Sequence, residues 1–123
     1  MIVDIIAEAA AALKSLEDEG VPVIQGWYDE SLHKLHVTLW NLGEYEGGHS
    51  DDGVEIEAGS VQVNIWSYED NVKLKKRIKR MMKAAGFLYM GSNDERETDT
   101  KLFNNAMRFL WAQEVESEEE DNG

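Results

Sequence analysis

The chain has 123 residues, 25 of them acidic and 12 basic, a formal net charge of −13, and no cysteine. That length suits one domain with a real core, and an apolar content of 42% with 4 Trp, 4 Tyr and 3 Phe argues for a packed globule over disorder. The charge argues against a body that binds nucleic acid or an anionic membrane, and the lack of cysteine excludes disulfides, thiolate nucleophiles and thiolate metal sites.

Residues 2–18 predict a first helix, with Ile2, Ile5, Ile6, Ala9, Leu13 and Leu16 on one face. Asp4 and Glu8 interrupt this longest apolar stretch, which also lacks a basic leader, so neither a signal peptide nor a membrane span is expected. Gly20 ends the helix and Pro22, the only proline, bars its continuation. Residues 21–28 read as a short strand. A turn at Asp29, Glu30 and Ser31 follows, then a strand over 33–42, with Leu35, Val37 and Leu39 on one face and Trp40 and Leu42 on the other.

Residues 43–59 change character. Adjacent glycines, His49, Asp51 and Asp52 predict a mobile loop or hairpin arm. Val54, Ile56 and Ala58 alternate in even register, whereas Val61, Val63 and Ile65 alternate in odd register. Such a parity switch at Gly59 and Ser60 predicts a β-bulge or a break at that point.

The chain is organised around residues 60–87, read as strand, basic amphipathic helix and strand. Ser67, Asp70 and Asn71 are candidate N-caps. Leu74, Ile78, Met81, Met82 and Ala85 form an apolar stripe, and Gly86 stands where a left-handed cap ends a helix. Lys73, Lys75, Lys76, Arg77, Lys79, Arg80 and Lys83 give this helix +7, which leaves −20 elsewhere in a chain at −13. Residues 87–90 predict a strand and 91–100 a polar turn. Residues 102–111 fit either helix or strand; the preceding short strand needs a neighbour, so strand is expected. Residues 114–123 form an acidic tail, expected to be disordered.

The result is a single α+β domain over 1–113, an antiparallel sheet with two helices packed on it in the order α-β-β-β-α-β-β. No catalytic, cofactor or metal site emerges from the spacing. His33 and His36 would project to opposite faces of a strand and cannot share an ion; surface or half-buried positions are expected. His49 beside Asp51 and Asp52 sits among glycines that pre-organise nothing. Asp94, Glu95, Glu97 and Asp99 lack the glycine and terminal glutamate of a calcium loop. Nor does any nucleophile motif frame the serines, so an enzyme is not expected.

Several segments occur together in a known order. They are the first helix, Gly26-Trp27-Tyr28, a loop with Asp51-Asp52, the strand V-Q-V-x-I-W-S, and the basic helix ending in A-G-F. An E-x-D-T turn (Glu97, Asp99, Thr100) and a last strand with Arg108-Phe109 complete the series. The arrangement resembles the tail terminator or tail-completion proteins of long-tailed bacteriophages and prophages of Gram-positive hosts, across roughly residues 2–112. The family often has a His or Tyr-His after the turn, where this chain has Leu102-Phe103-Asn104.

The resemblance implies a non-enzymatic virion protein at the head–tail interface, made in the bacterial cytoplasm. It implies a homo-hexameric ring that ends tail-tube growth and meets the tail tube and the head-completion or connector protein. DNA would pass through the lumen without specific binding. A ring uses a heterologous interface, and one basic stripe on an acidic body suits that. The expected interface is the seven basic helix residues together with His49, Asp51, Asp52, Asp94, Glu95, Glu97 and Asp99. An acidic DNA mimic and a nucleic-acid module using helix 73–83 are the alternatives from other classes. The helix interrupts the negative charge that mimicry wants, and it lacks the interleaved aromatics of a nucleic-acid binder.

Overall fold

A computed structural model describes residues 4–26, 34–47, 54–69, 71–96 and 101–116. The elements are α1 (Ile5–Ala12), α2 (Lys14–Asp18), β1 (Val23–Gln25), β2 (His36–Gly47), β3 (Val54–Ser67), α3 (Val72–Ala84), β4 (Leu88–Arg96) and β5 (Phe103–Glu116). The strands form one sheet in the order β1-β2-β3-β5-β4. The α+β class expected from the sequence holds, with two corrections. The sheet is mixed, because β1 runs parallel to β2 (Val23 opposite Val37) while the other pairs are antiparallel. The first helix is broken at Leu13, whose N–H is shared between the carbonyls of Ala9 and Ala10, so three helices precede or cross the sheet.

Local chemistry accounts for the helix ends. The Asp4 side chain caps α1 by accepting from Ala7 N–H at 3.0 Å. Gly20 and Gly86 both take positive φ, +95° and +98°. After α2, Val21 N–H bonds Leu16 C=O and Gly20 N–H bonds Glu17 C=O; after α3, Phe87 does so to Met82 and Gly86 to Lys83. Both are Schellman closures, which satisfy the last free carbonyls and need a left-handed residue. At the start of α3 the expectation is only half right. Asn71 occupies the N-cap, yet its side chain donates to Glu69 C=O, as does the Ser67 hydroxyl, and neither caps the helix. Asp70 lies outside the described residues.

One face of the sheet carries the core. Val37, Leu39, Val61, Val63, Ile65, Met107 and Phe109 meet Ile5, Ala9, Leu13 and Leu16 from the first two helices and Ile78 and Met82 from α3. Leu74 and Met81 pack at the margin of this cluster, as their spacing predicts, whereas Ala85 is exposed. Residues 103–116 are strand along their whole length, paired residue for residue with β3 from Val54–Glu116 to Ser67–Phe103.

No bulge lies in β3. The register shifts fall instead between Asn41 and Gly43 of β2 and between Tyr89 and Gly91 of β4. A bulge in β3 would disrupt two ladders, since it pairs on both sides; a bulge in β4, or in β2 beyond Leu39, disrupts one. The parity switch at Gly59 is a change of face. Ile5 Cδ1 lies 2.8 Å from where a Gly59 Cβ would sit, so a side chain there would force the end of Ile5 to shift. Beyond that point Ile56 and Ala58 face away from the helices.

Residues 43–47 and 54–59 are therefore the paired ends of β2 and β3, with 48–53 outside the described residues. Similarly, β4 runs on to Arg96 where a turn was expected, and β5 to Glu116, three residues into the expected tail. The first strand is shorter than expected, Val23–Gln25, and β2 begins at His36. No helix among the described residues is long and apolar enough to cross a membrane.

Candidate functional site

The basic helix α3 packs beside α1 and over β4. Its seven cations separate into two groups. Three are tied within the chain. Lys75 Nζ reaches both Asp94 oxygens, at 2.9 and 3.0 Å, and Asn105 Nδ2 donates to the same carboxylate at 2.9 Å. On the other flank Arg77 forms a two-armed pair with Glu19 at the end of α2; its Nη1 lies 2.8 Å from Oε1 and its Nη2 meets Oε2. Lys79 places its ammonium 4.0 Å from the centre of the Tyr89 ring, a cation–π contact.

The other four, Lys73, Lys76, Arg80 and Lys83, are exposed. They sit at i, i+3, i+7 and i+10 and so form one ridge along the outer side of α3, opposite Ile78 and Met82. Among the described residues none of the four forms an ion pair. Like charges at these spacings cost an exposed helix roughly 0.2–0.5 kcal/mol per neighbouring pair, a cost that opposing carboxylates would remove.

The acids expected at this interface are scattered. Asp94 is already engaged by Lys75, which removes it from the acids free to meet a partner. Glu95, the next residue of β4, stands opposite Asn104 on the other face of the sheet. His49, Asp51, Asp52, Glu97 and Asp99 lie outside the described residues. Sequence spacing missed Glu19, Tyr89 and Asn105. Glu19 and Arg77 are 58 positions apart, and no local pattern announces such a pair. Of the two strand histidines, His33 lies outside the described residues. His36 is fully buried, where a surface or half-buried position was expected; its ring stacks on Trp66 with centroids 6.5 Å apart.

Electrostatics follow the contacts. The Asp94 carboxyl is held below its ordinary pKa of 3.8, first by the Asn105 hydrogen bond and then by Lys75. Glu19 is likewise lowered, chiefly by its hydrogen bond from Arg77. A carboxyl with a depressed folded-state pKa contributes stability above its unfolded pKa and loses it as pH falls through the folded value. Denaturant midpoints should therefore drop as pH falls below the ordinary values of 4.5 for Glu19 and 3.8 for Asp94, and Asp94→Asn should flatten part of that drop. A variant with the full wild-type acid slope would show that the Lys75–Asp94–Asn105 contact is immaterial to folding. Both carboxylates are largely exposed, so the expected change is modest.

Among the described residues no group of three or more His, Asp or Glu side chains could hold a metal ion. A shallow depression between α2 and β1, lined by Glu17, Gly20, Val21, Pro22, Val23 and Ile24, offers one carboxylate and no second titratable group. What the described surface does offer is a charged ridge suited to protein contact.

No family model and no curated protein matches the sequence. Among solved structures, a chain of the virion of a native gene transfer agent particle is similar to this one. It matches with a TM-score of 0.53 and 13% identity, over 87% of this chain and 84% of that one. At that identity the likeness is one of fold, and it extends over nearly the whole of both chains.

Proposed function

We propose that this chain is a structural virion protein, a tail terminator or tail-completion protein. In this reading it forms a hexameric ring at the head-proximal end of the tail, stops growth of the tail tube, and presents the surface that joins tube to head connector. It has no catalytic role. The observation that carries the reading is the near full-length fold shared with a chain of a gene transfer agent virion. The order of motifs described above supports the same assignment independently.

The physical properties suit such a part. A ring subunit needs two different surfaces that complement each other, and the exposed basic ridge of α3 is unlike the rest of a chain at −13. A lumen lined by an acidic body would repel phosphates and let DNA pass without sticking. Inactivating the gene in a particle-producing host tests the proposal. The expected outcome is filled heads separate from tails of uncontrolled length, with added purified protein restoring joined particles. Normal particles in the absence of the protein would overturn it.

A further inference from the structure

We infer that the ridge Lys73–Lys76–Arg80–Lys83 docks on the acidic outer face of α1 and α2 of a second copy of this chain. The inference rests on the ring reading above and sharpens it by naming the two surfaces that meet. The structure first narrows the choice of acids. Asp94 and Glu19, which flank α3, are committed to Lys75 and Arg77 of their own chain. The first two helices carry a separate set. Glu8, Glu17 and Asp18 are exposed, and among the described residues none of them forms an ion pair. Asp4, one turn before Glu8, lies on the same side of α1 and caps it. Lys14 is the one base among them.

The helical layer is therefore bipolar, base on α3 and acid on α1 and α2, with the Arg77–Glu19 pair at the boundary. A surface of that kind complements another copy of itself. At physiological salt the screening length is about 8 Å, so contact between the ridge and the acidic face outweighs the repulsion between distant charges of two chains at −13. The same geometry disfavours a nucleic acid. Glu19 and Asp94 bracket the ridge, their side chains 50% and 54% exposed. A duplex laid across α3 would bring its phosphates against those carboxylates. The narrower acidic side of α1 and α2, with Glu8 on one helix and Asp18 on the other, would not.

A charge swap tests this on the full chain. One variant carries Lys76→Glu and Arg80→Glu; the other carries Glu8→Lys and Asp18→Lys. All four positions are exposed, so both should melt like wild type. By sedimentation velocity at physiological salt the wild type should self-associate, and each variant alone should do so at least about tenfold more weakly. An equimolar mixture should regain association within about threefold of wild type, because each reversed face then meets its reversed counterpart. A milder pair, Lys76→Gln and Arg80→Gln, should fall between wild type and the reversed variant.

A wild type that stays monomeric at physiological salt overturns the inference, as do variants that associate normally alone or a mixture that does not recover. Duplex DNA bound by wild type and lost with Lys76→Glu/Arg80→Glu would assign the ridge to phosphate instead and also overturn it. If the swap fails while gene inactivation still separates heads from tails, the virion role stands and the subunit contact lies elsewhere.

Discussion

Ile78→Ala should lower the stability of the isolated chain by about 2–5 kcal/mol, the range for emptying a packed aliphatic site. Ile78 is fully buried in the cluster that joins α3 to the sheet, together with Met82, Phe87, Met107 and Phe109. Removing its branched side chain loses the transfer free energy of the deleted carbons. It also leaves a cavity that strands paired along their length can close only in part. Against the ~5–15 kcal/mol of a typical domain this is a large share. A matched control is Val72→Ala in the same helix, where the side chain is 49% exposed and the change should stay within about 0.5 kcal/mol. Urea denaturation checks both, with an unchanged slope showing that only stability moved. A midpoint for Ile78→Ala equal to wild type would mean that this face of α3 is not the core.

The parts of the fold legible in the sequence were those carried by short-range patterns. The apolar stripe of α3 through Met82, the glycine that ends the helix and the inward set Val61, Val63 and Ile65 all follow from periodicity and backbone sterics and stand where expected. Ala85, the last of the stripe, is exposed. Residues 102–111 are ambiguous in pattern and are decided by a neighbour's need for a partner. That argument used topology, and β5 answers it by pairing with both β3 and β4.

What stayed hidden is non-local. Alternation reports which residues share a face and says nothing of strand direction, so the parallel pairing of a three-residue β1 left no trace. The parity switch near Gly59 was visible, but its cause was not. Only the pairing of β3 with β5 shows that the apolar side changes face there while the ladder runs on unbroken, with Ile5 packed over Gly59. For the candidate site the same division holds. Composition and spacing revealed seven cations on one helix. Which of them are spoken for depends on Glu19, Tyr89 and Asp94, brought in by other elements of the fold. The sequence therefore marked the surface, and the fold reduced it to the four residues of the ridge.

Trp66→Ala should also cost about 3–5 kcal/mol, for reasons that lie on the opposite face of the sheet. Trp66 is 2% exposed although it points away from the helical layer, opposite His36 across the β2–β3 ladder. Its indole N–H donates to the Thr38 hydroxyl at 2.9 Å, and its ring stacks on that of His36 at an interplanar angle of 18°. His36, Thr38 and Asn64 are buried on this face with it, and the Asn64 amide bonds Asn104 at 3.0 Å. Truncation removes the largest side chain of a tier that is otherwise polar. It leaves the Thr38 hydroxyl without its donor, and a buried polar group stripped of its partner costs about 1–3 kcal/mol. Trp66→Phe loses the donor and the pyrrole part of the indole while keeping a six-membered ring against His36, so its cost should be smaller, about 1–3 kcal/mol. Both variants act on the face of the sheet opposite α3. Below their melting transitions they should therefore keep the wild-type salt dependence of self-association, while the Ala variant unfolds at a clearly lower denaturant midpoint. A Trp66→Ala chain as stable as wild type would show that this second face contributes nothing to the fold. One with an altered salt dependence would show that the two faces are coupled through the sheet.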